Sequence, residues 1–311
     1  MPSTFNYAAK YSSQILEAIE QSALTTPFFT SNVEWTGAKT FHFTQMSVSG
    51  YKNHSRSGGW NRGTINQQDV DFTVAHDRDV EFLVDKADVD ETARTAAMIN
   101  VTNRFVNGQM IPEIDAYTFS MIAAKAKATT GLYDTTNLAS FTVDNVYTKL
   151  VQMMGKGKLK LYRQRGTLVG YVRPEIMDLI ALSTELSKTI EVTRLGGPAS
   201  VETRVARING VPLIEVIDNE RFYDSFSYSE GFEPVEGTSR PINVLFAATD
   251  MVHTVPKISS IYYFSAGDHT EGDGDLYQNR ALWDTFVFPN GKDKAIDSVY
   301  VSLDAVLPVS E

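Results

Sequence analysis

A long helical stretch interrupted by a proline constrains the fold of this chain more than any other feature of its sequence. It extends from residue 88 to 131 and reads IPEIDAYTFSMIAAKA at 111–126. Asp90 is a candidate N-cap and Gly131 a natural stop. Pro112 lacks an N–H and crowds the preceding turn, so we expect it to kink or divide the helix. The apolar residues recur at helical spacing, which predicts a strut with one side in water.

Composition limits the class of protein. The chain has 311 residues, enough for one large domain or two ordinary ones, and 42% of them are hydrophobic, which supports a core. It has no cysteine, which excludes disulfides, thiolate metal sites and cysteine nucleophiles. No apolar run is long enough for a membrane span, and the N-terminus lacks a secretory pattern. We therefore expect a cytoplasmic protein. The net charge of −10 argues against broad binding to nucleic-acid phosphates.

Two segments of the N-terminal third are difficult to bury within one subunit. Residues 25–32, TTPFFTSN, suit an extended arm, so Phe28 and Phe29 are expected to pack on something, with another subunit as a candidate. Residues 39–83 alternate apolar and polar residues in two runs, which predicts a long β-hairpin. An arm of this kind either moves freely or lies on a neighbour.

The tip of the predicted hairpin is polar and basic. Residues 51–66, YKNHSRSGGWNRGTIN, contain three cations, one tryptophan and no acid. These residues are Lys52, Arg56, Trp60 and Arg62. Two acidic stretches could receive such a tip on a neighbour: the loop DHTEGDGD at 268–275 and the seven carboxylates of residues 215–236. A tip that only keeps the protein soluble is the alternative interpretation.

The rest of the chain alternates strands and helices, which predicts an α+β protein with a compact α/β layer domain. Predicted strands are 168–174, which runs into Pro174, a turn and strand within 205–216, 242–248, 257–264, 281–288 and 297–303. Pro174 is placed to open a helix, and Asp144 to cap one that ends at Met154. The segment TDMVHTVPK at 249–257 is expected to form a short turn of helix.

The sequence predicts no catalytic residue, no metal site and no cofactor. The 268–275 loop lacks the spacing of a calcium loop, so we interpret it as a solvated surface loop. GKGK at 155–158 follows a helix and lacks the phosphate-loop pattern. The five histidines form no i, i+4 pair, and no serine–histidine–acid set can be singled out. Glu113 and Asp115 are two apart on a helix and face different sides.

Several segments, taken in order, resemble the major capsid proteins of tailed bacteriophages of the Hong Kong 97 type. The resemblance covers most of residues 39–296. The segments are FTVAHDRDVEFLVDKADVDET (72–92), the PEIDAY phrase (112–117), LVGYVRPEIMDLI (168–180), INGVPLIEV (208–216) and INVLFAATDMVHTVPK to NRALWDTFVFPNGKDKAI (242–296). This family implies an N-terminal arm, an extended β-hairpin loop, a long spine helix in a peripheral domain, and an α/β axial domain. The boundaries are 1–34 for the arm, 35–84 for the extended loop, 85–131 with 257–311 for the peripheral domain, and 132–256 for the axial domain.

The same resemblance implies a function and a set of partners. The chain would self-assemble, as hexamers and pentamers, into an icosahedral virion shell around double-stranded DNA, inside the host bacterial cytoplasm. A separate scaffolding protein and a portal are expected, and decoration proteins are left open; no membrane is involved. Some relatives cross-link a loop lysine to a neighbour's asparagine, here Lys52 with Asn279 or Asn290, although simple contact is favoured. An encapsulin-like compartment shell and a cytoplasmic α+β enzyme are the alternatives.

We therefore predict a set of inter-subunit contact residues on the arm, the hairpin tip and the acidic loop. The set consists of Phe28, Phe29, Lys52, Arg56, Trp60, Arg62, Asp268, Glu271, Asp273 and Asp275. Exposed ion pairs contribute roughly 0–1 kcal/mol each. Repeated over many subunits, they would set the register of assembly.

Overall fold

The computed structural model describes residues 23–30, 33–54, 58, 60–86, 98–183, 190–194, 202–265, 267–290 and 295–306. Within them the helices are α1 (Met98–Phe105), α2 (Ile111–Lys127), α3 (Val146–Met153), α4 (Leu159–Arg165) and α5 (Pro174–Leu182), with a π-helical segment, Val106–Met110, between α1 and α2. The strands are β1 (Thr40–Val48), β2 (Ile65–Thr73), β3 (His76–Asp85), β4 (Tyr133–Thr135), β5 (Leu168–Val172), β6 (Ile190–Arg194), β7 (Glu202–Ile208), β8 (Val211–Glu215), β9 (Phe226–Ser227), β10 (Glu233–Pro234), β11 (Ile242–Ala248), β12 (Val252–Phe264), β13 (Gly274–Val287) and β14 (Val299–Leu303).

A mixed sheet of seven strands forms the centre of the molecule, in the order β4-β14-β11-β5-β8-β7-β6. Helix α2 packs on one face through Phe119 and Ile122. Helices α3, α4 and α5 pack on the other face, where Leu150, Leu159 and Ile176 are fully buried. Because both faces are covered, β5 and β11 are buried along their whole length. Continuous apolar runs are typical of strands covered on both faces.

Two glycine positions fix the local geometry of this sheet. Asn209 and Gly210 have φ angles of 52° and 82°, as the tight turn between β7 and β8 requires. Gly170 of β5 lies between Leu213 and Phe246 of the neighbouring strands. A Cβ at Gly170 would overlap Leu213 Cδ2 and Phe246 Cε1. Gly210 therefore allows the positive φ of the turn, and Gly170 leaves room for the side chains of the neighbouring strands.

A second sheet of three strands has the order β12-β13-β3 and packs against the helices through β13. Strands β1 and β2 form an antiparallel hairpin from Thr40↔Thr73 to Val48↔Ile65. The predicted hairpin of 39–83 is therefore too long, because residues 76–85 leave it and pair with β13. The helical turn expected at 249–257 is also wrong, since β12 begins at residue 252. Tertiary pairing overrides local preference in both segments.

The helical stretch of the sequence is described from residue 98, and we call residues 98–127 the spine helix. Asp90 lies outside the described residues. At the junction with α2, the N–H of Ile111 donates to the carbonyl of Val106, five residues earlier. Pro112 follows at once and has no N–H to give, so the looser π register is accommodated at this point. Whether the helix axis bends here stays a prediction.

The expectation that one side of the spine helix is in water is wrong for its middle. Every residue from Ile111 to Ser120 is buried. The seven-stranded sheet covers one side, and β13 covers another through Ala281 and Trp283. The segment 216–241 covers a further side, with Phe222 against Phe119. Exposed residues lie on either side of this buried middle, at Asn103, Arg104 and 107–109 and again from Ala124, and α2 ends at Lys127.

The architecture confirms the α+β prediction at the level of the overall fold. Strand β14 lies inside the seven-stranded sheet, beside β11 and β4, although its residues fall in the predicted peripheral range 257–311. Among the described residues, no helix is long and apolar enough to cross a membrane.

Candidate assembly surface

The distal half of the β1–β2 hairpin exposes apolar side chains on a face that its own subunit does not cover. Near the base, Phe41 and Phe72 point to one face and pack on Phe286 of β13. Further out, Met46, Val48 and Ile65 occupy the opposite face. Their exposed fractions are 59%, 70% and 72%. The apolar side therefore changes faces along the hairpin, because successive strand residues point in opposite directions.

The base of the hairpin is firmly attached to the subunit. Phe43 stacks on Phe288 with ring centroids 4.5 Å apart. Asp77 bonds to Arg280 at 2.8 Å and to Lys39 at 3.0 Å. The Arg280 guanidinium, followed by the Lys39 ammonium, lowers the pKa of Asp77 to about 2. The base therefore holds the hairpin while its distal half extends from the subunit.

The tip presents large aromatic groups and cations to solvent. Tyr51 is fully exposed, and Trp60 is 94% exposed. Lys52 and Arg62 are also exposed, and the Lys52 ammonium donates to the Arg62 carbonyl at 3.5 Å. Arg56 lies outside the described residues. An exposed tryptophan between cations is an interface signature, since aromatic residues and arginine dominate the energetics of protein interfaces.

The acidic loop between β12 and β13 is partly occupied by its own subunit. Asp273 bonds to Lys86 at 3.0 Å, and His269 contacts the Gly274 carbonyl at 2.8 Å. Asp268 and Glu271 are exposed. The loop keeps exposed carboxylates, so it remains a candidate for contact with a neighbour.

The second acidic stretch is less available than its sequence indicates. Glu215 is buried, Asp218 holds Arg221 at 2.9 Å, and Asp224 holds Lys127 at 2.7 Å. The Asp224–Lys127 pair attaches the segment 216–241 to the spine helix, whereas Asp218 pairs within the segment. Three of the seven carboxylates of this stretch therefore serve the subunit itself.

Sequence reasoning missed a third acidic surface on the outward side of β3. This strand alternates half-buried and exposed residues along its length. The exposed carboxylates are Asp77, Asp79, Glu81 and Asp85. Strand β3 is an edge of the three-stranded sheet. The alternation HDRDVEFLVD was the available signal, since its odd positions from 77 to 81, and position 85, are acidic.

Phe28, predicted as an inter-subunit contact, belongs to the core of its own subunit. It is fully buried and lies 5.9 Å, centroid to centroid, from the Tyr171 ring. The Asp115 carboxylate holds this segment in place by accepting bonds from the Leu24 N–H and from the Thr25 N–H and hydroxyl, at 2.7 to 3.1 Å. Phe29 is half-buried beside the same helix. The contact prediction for Phe28 is therefore wrong, because the hydrogen bonds from Leu24 and Thr25 to Asp115 hold this segment in the core of its own subunit.

Two ion-pair clusters fix opposite sides of the spine helix. Asp115 is fully buried and pairs with Arg221 at 3.0 Å. Glu113 accepts from Arg78 Nε at 2.7 Å and contacts His76 Nε2 at 3.3 Å. The two carboxylates have separate partners on different elements, so they do not act as a pair.

The described residues bring no chemically reactive cluster together. They contain no group of three histidine, aspartate or glutamate residues placed to hold a metal ion. Asn279, one of the two asparagines considered for a cross-link to Lys52, is buried and donates to the Tyr277 hydroxyl at 2.9 Å. The Asn279 amide is thus already hydrogen-bonded within its own subunit, and the cross-link to Lys52 stays a prediction.

Comparison with known proteins agrees with this architecture. No protein-family model and no curated protein matches the chain. Among solved structures, the mature capsid of bacteriophage PhiM1 is 12% identical with a TM-score of 0.58, covering 93% of this chain and 87% of that one. The capsid of cyanophage P-SCSP1u is 12% identical with a TM-score of 0.57, covering 92% and 89%. Microbacterium phage Oxtober96 is 10% identical with a TM-score of 0.55, covering 91% of each chain.

The chain thus has the fold of tailed-phage capsid subunits, as the resemblance to the Hong Kong 97 type implied. At these identities the likeness concerns the fold. The inter-subunit role of the hairpin tip and of the acidic loop stays a prediction.

Proposed function

We propose that this protein is the major capsid protein of a tailed phage and self-assembles into the icosahedral shell that encloses the double-stranded DNA genome. The observation that carries this proposal is the distal hairpin face, where Met46, Val48 and Ile65 are exposed opposite the face that packs on the subunit. Contiguous apolar residues on an extended arm indicate an interaction site. A repeated, identical contact of this kind builds closed symmetric assemblies.

The domain assignment supports the same proposal with changes at its boundaries. We assign 35–75 to the extended loop, the spine helix with β3, β12 and β13 to the peripheral domain, and 132–251 to the axial domain. Strand β14, Val299–Leu303, joins the axial domain because it pairs with β11 and β4. The arm is limited to residues before the buried segment at Leu24–Phe28. Hexamers and pentamers would form around the axial domain.

The proposed role is structural, and the partners follow from it. The shell would be located in the virion after assembly in the host cytoplasm, with a scaffolding protein, a portal and, in some phages, decoration proteins as partners. The acidic balance of the chain suits a lining that does not hold the genome tightly, because phosphate binding needs clustered lysine and arginine. Enclosure of DNA therefore requires no sequence-specific contact.

Size-exclusion chromatography and negative-stain microscopy of the expressed protein, with and without a co-expressed scaffold, test the proposal. We expect closed particles of uniform diameter. A stable species of tens of kilodaltons that never forms particles would instead favour an α+β enzyme. Nucleic acid inside native particles distinguishes a phage head from an encapsulin-like shell, which would contain protein cargo.

A further inference from the structure

A cavity of about 270 Å³ lies between β3, the π-helical segment and β13. Its apolar lining includes Phe82, Phe105, Met110 and Trp283. Exposed Asp79 and Gln109 also line it, so the cavity opens to solvent. Trp283 is 5% exposed, and its indole Nε1 has no hydrogen-bond partner among the described residues. A buried donor without an acceptor carries a free-energy cost that an inserted acceptor removes.

We propose that this cavity receives the Trp60 side chain from the hairpin tip of a second copy of the chain. This inference rests on the proposed function, since it needs neighbouring subunits. Trp60 is 94% exposed at the tip, so an apolar group of large area has no cover in its own subunit. The cavity volume suits one aromatic side chain. Buried aromatic anchors in such pockets supply most of the binding energy at protein interfaces.

A charge contact at the edge of the cavity favours this occupant over an apolar segment without cations. Lys52 and Arg62 lie on the same tip as Trp60. Among the acids of β3, exposed Asp79 lines the cavity, whereas Asp77, Glu81 and Asp85 lie on the outward side of the strand. The lining cation, Arg78, is already paired with Glu113. Complementary potentials at an interface fix register and suppress wrong partners.

The tip also provides an acceptor for the unpartnered indole of Trp283. Asn61 follows Trp60, and its side-chain Nδ2 donates to the Asn53 carbonyl at 2.9 Å. This bond orients the amide and directs its oxygen, which can accept a hydrogen bond, away from Asn53. The three features of the cavity, its apolar lining, Asp79 at its edge and the unpartnered indole N–H of Trp283, thus each have a counterpart on one short segment.

Cysteine cross-linking tests the inference directly, because the chain has no native cysteine. Particles of Trp60→Cys/Gln109→Cys, treated with a short bis-maleimide and run on a denaturing gel, should give a ladder of linked subunits. The matched control is Trp60→Cys/Leu161→Cys, since Leu161 is 51% exposed on α4, away from the cavity. The control should remain monomeric on the gel. Particles of the test variant without a ladder beyond the control overturn the inference.

Two further measurements separate the remaining outcomes. Assembly should shift the tryptophan emission of the wild type to shorter wavelength, and Trp60→Phe should lose most of that shift. An equal shift in the wild type and in Trp60→Phe overturns the inference. This measurement decides the matter even if Trp60→Cys/Gln109→Cys does not assemble. Efficient linking in Leu16→Cys/Gln109→Cys would show that the chain's own N-terminal residues fill the cavity, which also overturns it. Wild-type protein that forms no particles would contradict the proposed function itself.

Discussion

Single buried charges decide how the spine helix is held. Asp115 is fully buried and accepts from Leu24, Thr25 and Arg221. An isolated carboxylate would not tolerate that position, because removal from water costs several kcal/mol unless the charge is paired. The residue thereby ties the segment 23–30 and the segment 216–241 to one turn of α2. Its partners could not be read from sequence, since they are 90 or more residues away.

Replacing Asp115 should destabilise the folded subunit severely. We expect Asp115→Ala to lower the free energy of unfolding by about 3–5 kcal/mol, since the buried Leu24 and Thr25 N–H groups lose their acceptor and Arg221 keeps only Asp218. Urea denaturation of the unassembled subunit measures this loss. Asp79→Ala, an exposed carboxylate, is the control and should change stability by under about 0.5 kcal/mol. Equal urea midpoints for Asp115→Ala and Asp79→Ala would contradict a stabilising role for Asp115.

The pKa of Asp77 should depend on Arg280. Its value of about 2 lies below the usual 3.8, with Arg280 as the largest cause. A lowered pKa in the folded state stabilises the protein above the unfolded value and loses that effect as pH falls through about 2. The contribution is small because the pair is exposed. In Arg280→Gln, a carbon-13 titration of the carboxyl group should show the pKa rising toward 3.8, by more than in Lys39→Gln.

At the scale of elements, the hairpin has two halves with different purposes. The base packs on β13 through aromatic contacts, whereas the distal half presents Met46, Val48 and Ile65 on the other face. The alternation of β1 and β2 was readable from sequence. The change of apolar face can also be found in the sequence. Its consequence, an uncovered apolar face, follows only when the strand register and the covered side are known.

Polar substitution of the distal face should separate folding from assembly. We expect Met46→Gln/Val48→Thr/Ile65→Thr to keep the unfolding midpoint, because exposed positions contribute little to stability. Particle yield by electron microscopy should fall strongly. Phe41→Ala, on the buried face of β1, is the contrast and should cost about 3–5 kcal/mol. Normal particles from the triple variant would argue against the hairpin as an assembly arm.

The π-helical segment before α2 should depend on Pro112. Pro112→Ala supplies an N–H that can donate to the Gly108 carbonyl and restore α-helical spacing. We expect slower amide hydrogen exchange for residues 107–111 than in the wild type. Pro174→Ala is the control, because Pro174 lies in the first turn of α5, where no intrahelical N–H bond is lost. Unchanged exchange in both variants would show that another contact sets the π register.

At the scale of the whole molecule, assembly should respond to the charge of the hairpin tip. Changing Lys52, Arg56 and Arg62 together to glutamate should block particle formation while circular dichroism shows a folded subunit, since the tip would then be repelled by acidic neighbours. Reversing Lys156, Lys160 and Arg165 on and beside α4 gives the same change in net charge elsewhere. Normal particles from the tip variant would exclude an electrostatic role for the tip.

The sequence by itself determined the periodic elements. The long helix, the alternating hairpin, the buried strands within 168–174 and 242–248, and the turn within 205–216 all follow from local spacing and turn chemistry. The ordered resemblance along 39–296 also indicated the fold. These features are local, so they survive without knowledge of what packs against them.

Only the tertiary structure decided which surfaces are covered. In the structure Phe28 is buried in its own subunit and is no contact candidate, and the middle of the spine helix is buried as well. Residues 76–85 belong to the three-stranded sheet and not to the hairpin. The tertiary structure also placed β14 in the central sheet and brought acids onto the outward side of β3. The physical reason is that burial and ion pairing depend on neighbours distant in sequence, which no local pattern encodes.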